Sequence, residues 1–153
     1  MNYRDTLEDI ELRLDLGREF DAIERFYVGV CRSLELSAAA REALEVATQY
    51  LEHAVSDEDL ERARVACWAS IKGRDLDLCD REVASTRAVI CAMYPRGWGD
   101  NAFCALDAFE EFATAAGVNP DDLVLALQTT LADALRRGVA QRADGAGRSR
   151  STR

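Results

Sequence analysis

Proline occurs twice and glycine nine times in these 153 residues, and both fall mostly between periodic segments. Few breakers inside long periodic stretches, and no alternating apolar pattern of useful length, argue against strands. No apolar run approaches the ~20 residues that a membrane-spanning helix needs. The five cysteines are odd in number and include no C-x-x-C pair. That argues against a disulfide framework and against a structural zinc site, which usually takes two ligands from one tight turn. Histidine occurs once, as His53. A single histidine excludes the paired Glu-x-x-His helices of carboxylate-bridged metal bundles. It also leaves a catalytic cysteine with almost no choice of base. No cofactor, metal or catalytic residue is expected.

What is present is an amphipathic chain, 48% hydrophobic and 31% charged. A length of 153 residues suits one domain with a core large enough to need no disulfide. The opening MNYRDTLEDIELRLD alternates acids and bases and predicts no secretory signal, so a cytoplasmic protein is expected. Reduced cysteines in such a compartment serve as small buried hydrophobes.

Helical spacing recurs along the chain. Leu7, Ile10 and Leu14 are followed by Ile23, Phe26, Tyr27 and Val30, with Gly17 as a break or kink between them. Ser37 is placed to cap the stripe Ala40, Leu44, Ala47, Leu51, Ala54, and Ser56 to cap Leu60, Ala63, Cys67, Ile71. Gly73 suits a left-handed terminator. Asp77 reads as the cap of the next stripe, Cys79, Val83, Ile90, Met93, which Pro95 ends. Asp100 or Asn101 then caps Ala102, Leu106, Phe109, Ala113, and Gly117 closes it. Asn119 and Pro120 open a last stripe of Val124, Leu127, Leu131 and Leu135. The expected fold is all-α: a single-domain bundle of about six to seven helices, residues 1–138, with mostly antiparallel neighbours. Residues 139–153 contain no large apolar side chain beyond Val139 and are expected to form a basic, disordered tail.

Charge divides sharply along the chain. Residues 136–153 hold six arginines against Asp144 alone. With a net charge of −9 overall, the preceding residues carry −14. Such a body repels nucleic acid and attracts basic proteins. No nucleic-acid or membrane partner is expected. Acids gather at helix starts, as Asp57, Glu58, Asp59 and Glu61 and again as Asp75, Asp77, Asp80 and Glu82. There they favour the helix dipole and keep the surface wet. That accounts for most of them; the functional alternative is a negative face that recognises a basic protein.

The stretch YPRGWGDN poses its own question, since Trp98 stands between two glycines. It either folds back as a plug over the bundle end or anchors a partner, with Arg96 and Asp100 as a polar rim. Asp75, Asp77, Asp80, Arg96, Trp98 and Asp100 are the candidate partner-binding residues. His53 stands at a helix end, where a cation suits the dipole.

The segments ARVACWASIKGRDLDLCDREVASTRAVICAMYP and NAFCALDAFEEFATAAG resemble a family of small all-helical bacterial proteins, some of them immunity proteins encoded beside polymorphic or contact-dependent toxins. The resemblance covers roughly residues 40–135. It implies a non-enzymatic protein that binds a cognate, basic toxin through its acidic surface. It supplies no catalytic residues. A homo-oligomeric scaffold, with Phe103, Phe112 and Leu125 on a homodimer face, is the competing expectation. A small-molecule binder with a pocket between helices is a third.

Overall fold

The computed structural model describes residues 1–148. Among them are seven α-helices and no strand: α1 (Tyr3–Arg13), α2 (Phe20–Cys31), α3 (Ala38–Leu51), α4 (Asp57–Ser70), α5 (Arg81–Cys91), α6 (Ala102–Ala115) and α7 (Pro120–Arg148). No helix among these residues is long and apolar enough to cross a membrane.

Helix α2 is the centre of the bundle and packs against α3, α5 and α7. It can do so because nearly every turn is apolar: Ile23, Phe26, Tyr27, Val28, Val30 and Cys31 are all buried. Helices α3 and α4 form one hairpin and α5 and α6 another, while α7 lies along α1 and α2. The aromatic heart joins three helices, with the Phe109 ring 5.3 Å from Phe26 and 4.8 Å from Tyr27. Tyr3 enters from α1 and donates its hydroxyl to the Leu106 carbonyl at 2.9 Å.

Several sequence signals act as expected. Gly17 lies in a short 3₁₀ turn, residues 16–18, that separates α1 from α2. Ser37 and Ser56 cap α3 and α4, the latter in a reciprocal pair with Asp59. Gly73 and Gly117 end their helices at φ +86° and +104°. Asn119 accepts from the Asp121 amide at 2.8 Å as α7 begins.

Others are corrected. Helix α5 starts after Asp80, not Asp77, because the Asp80 carboxylate takes the Glu82 amide and holds Arg74 at the same time. Asp77 instead closes a turn onto the Cys79 amide. Asn101 holds the N-cap position of α6 but its side chain makes no capping hydrogen bond; a 3₁₀ turn over residues 99–101 feeds that helix directly. The buried face of α7 is Leu123, Leu127, Leu131 and Ala134, one step round from the expected stripe, and Val124 and Leu135 lie at its edge. Cys79 and Cys104 are exposed, so only Cys31, Cys67 and Cys91 are core residues.

The expected tail is the largest correction. Helix α7 runs to Arg148, so residues 139–148 are helical; residues 149–153 lie outside the described residues. The segment is rich in alanine and arginine, both strong helix formers, and propagation from an existing helix avoids the cost of a new nucleus. Gly138, the expected end of the helical domain, instead admits a neighbour: a Cβ there would stand 3.3 Å from the Leu14 side chain and 3.6 Å from the Arg13 carbonyl.

Candidate functional site

The six candidate residues fall into two groups at opposite ends of α5. Asp75, Asp77 and Asp80 lie in the connection from α4; Arg96, Trp98 and Asp100 lie in the connection to α6. Helix α5 has 11 residues, so the groups are separated by about 16 Å of helix.

The first group is largely bound into the fold. Arg74 reaches Asp80 at 2.7 Å and Glu82 at 2.6 Å, which ties the loop to the first turn of α5. The hydrogen bond from Arg74 is the main reason that the Asp80 carboxyl titrates below the usual range. The Asp75 carbonyl accepts from Arg87 Nη1 at 3.1 Å. Of these three acids, Asp75 and Asp77 form no ion pair among the described residues.

The second group is wound tightly. Arg96, Gly97 and Gly99 all take positive φ, at +56°, +74° and +53°. Gly97 is required twice over: a Cβ there would sit 2.9 Å from the Phe20 ring. This winding turns Trp98 back over the end of α5. Its indole N–H donates to the Cys91 carbonyl at 3.0 Å, and its ring lies 3.9 Å from that of Tyr94. Cys91 is the last residue of α5, where carbonyls have no partner within the helix. The indole supplies one. Arg64 covers the other face of the same end, 4.4 Å from the Tyr94 ring. Arg96 and Asp100 stay exposed, and Asp100 forms no ion pair among the described residues.

Between the two groups lies a cleft of about 310 Å³ formed by α4, α5 and α6. Trp68, Arg87, Tyr94, Trp98, Cys104 and Phe112 line it. Arg87 lies 4.4 Å from the Phe112 ring and 5.6 Å from the Trp68 ring. No sequence spacing announces this cleft, because its walls come from three helices and its members are separately ordinary core or surface residues.

A second feature was readable but passed over. Glu42, Glu45 and Glu52 are spaced three and seven apart, which puts them on one side of α3. Glu42 and Glu45 are exposed, as is Glu52 at the helix end, and none forms an ion pair among the described residues.

No protein-family model, curated protein or solved structure matches the chain.

Three of the five thiols are sealed in the core. Burial raises the thiols of Cys31, Cys67 and Cys91, with Cys67 pushed up to about 11 and Cys91 to about 12. Such thiols stay protonated and unreactive at neutral pH. His53 is exposed at φ +58° just past α3, held by its main-chain N–H to the Tyr50 carbonyl. Among the described residues no cluster of His, Cys, Asp or Glu is placed to hold a metal ion. Glu24 is the one buried carboxyl among the described residues, 2% exposed, and its Oε1 has no hydrogen-bond partner among them. Burial drives its pKa well above 4.5.

Proposed function

We propose that this chain is a non-enzymatic binding protein that uses its acidic surface to cover a basic protein, acting in the cytoplasm as an immunity protein covers a toxin. The observation that carries the reading is the unpaired carboxylate on its exterior. Glu42, Glu45 and Glu52 follow one side of α3; Asp75 and Asp77 lie beyond the end of α4, its hairpin partner. None of these acids has an internal cation among the described residues. Paired surface charges are largely neutralised, whereas unpaired ones project a field that speeds encounter with a partner of opposite sign and rejects like-charged ones. Covering a basic surface requires no reaction, and the burial of Cys31, Cys67 and Cys91 agrees with that.

The test is charge reversal. Glu42→Lys, Glu45→Lys and Glu52→Lys together leave the core untouched. The triple variant should fold as the parent does and lose capture of basic protein from the native host. Capture of the same basic protein by the triple variant would refute an interface on α3. A reaction catalysed by the purified protein would refute the non-enzymatic reading itself.

A further inference from the structure

Arg87 is out of keeping with the rest of this protein. It stands in the middle of α5, half-buried on an apolar cleft wall, and forms no ion pair among the described residues although acids outnumber bases 28 to 19. A guanidinium removed from water is normally paired. Its Nη1 is taken by the Asp75 carbonyl at 3.1 Å. Its Nε–H is buried with no acceptor, and Nη2 makes no hydrogen bond among the described residues. Nε–H and Nη2–H point in parallel from one edge of the guanidinium. That edge is the fork that a carboxylate accepts with both oxygens. The rings of Phe112 and Trp68 flank it, and Tyr94 and Trp98 extend the apolar wall.

The geometry points to a binding site for a small organic acid: a carboxylate on the unbonded edge of Arg87, joined to a flat or branched apolar body lying among Trp68, Tyr94, Trp98 and Phe112. The volume of about 310 Å³ admits a molecule of that class. A ligand carboxylate would satisfy an N–H that the folded chain leaves bare, and an unmet buried donor is costly. Nε is buried, so a ligand carboxylate reaches it only with a shift of the side chains around the guanidinium. Among the described residues no acid lines the cleft, whereas Arg87 acts at contact in an apolar setting. This site is separate from the protein-partner reading and needs no partner for its test.

Both tryptophans of the chain line the cleft, so tryptophan fluorescence, excited selectively, reports on it. The purified protein is titrated with 4-phenylbutyrate and, in parallel, with 4-phenylbutan-1-ol, its neutral counterpart. The acid should bind at least about tenfold more tightly, and Arg87→Met should erase that preference. Saturating acid should also slow alkylation of Cys104, which lines the cleft, and leave Cys79, exposed outside it, unaffected. Equal affinity for acid and alcohol overturns the site, as does a preference that survives Arg87→Met, or alkylation of Cys104 at an unchanged rate. If Arg87→Met fails to fold, the acid–alcohol comparison and the Cys104 protection on the parent protein decide the question.

Discussion

The indole N–H of Trp98 donates to the Cys91 carbonyl at 3.0 Å, so a loop residue completes the hydrogen bonding of the helix that precedes it. This relationship explains the glycines on either side. They let the chain wind through left-handed angles so that the largest side chain can return to α5. Trp98→Ala should therefore lower stability by about 2 kcal/mol, from lost apolar contact and an unpaired carbonyl. Trp98→Phe, which keeps a ring but no donor, should cost about 1 kcal/mol. Urea denaturation measures both. A Trp98→Ala variant of unchanged stability but weakened partner binding would assign the residue to recognition instead.

Gly97 and Gly99 share a left-handed backbone but not a neighbourhood. Alanine at Gly97 meets the Phe20 ring at 2.9 Å, whereas alanine at Gly99 meets nothing within 4 Å. Gly99→Ala should cost about 1 kcal/mol for its backbone alone, and Gly97→Ala clearly more. Thermal unfolding of the pair should rank them in that order.

Glu24 makes stability depend on pH in an unusual direction. Its carboxyl holds a proton in the folded state well above 4.5, the value at which the unfolded chain releases it. Above that pH the folded state binds more protons than the unfolded one, so this residue destabilises the fold increasingly as pH rises from 4.5 toward its folded pKa. Below 4.5 both states are protonated and the effect vanishes. Glu24→Gln should raise stability at neutral pH by about 1–3 kcal/mol and have little effect in acid. Denaturant midpoints of parent and variant across pH check this; equal midpoints at neutral pH would contradict it.

The cysteines divide by burial. Iodoacetamide should modify Cys79 and Cys104 in the native protein, and Cys31, Cys67 and Cys91 only after unfolding. Mass spectrometry of the peptides distinguishes the two sets.

The fold was legible where local chemistry decides it. Serine caps before apolar stripes located α3 and α4, and glycines located the ends of α4 and α6. Legibility failed where a tertiary contact chooses between local options. Asp77 and Asp80 are equally good caps in isolation, and Arg74 selects Asp80. Gly138 ends a helix by local rules, yet the approach of Leu14 gives it a place inside α7. Of the candidate site, the turn around Trp98 was visible but its hydrogen bond to α5 was not. The cleft around Arg87 could not be read at all, because Trp68, Arg87 and Phe112 belong to three different helices. The acidic side of α3 was readable from spacing; the helix-start acids, which mostly cap and pair, drew attention away from it.

The central claim is that an acidic helical exterior holds a basic protein without reacting with it. The most direct measurement is affinity capture from the native host at low salt, followed by the affinity of the recovered protein at two salt concentrations. The account predicts a basic protein whose binding weakens about tenfold or more from low to physiological salt and is lost with Glu42, Glu45 and Glu52 reversed to lysine. Recovery of no basic protein, or an affinity unmoved by salt and by those reversals, would contradict it.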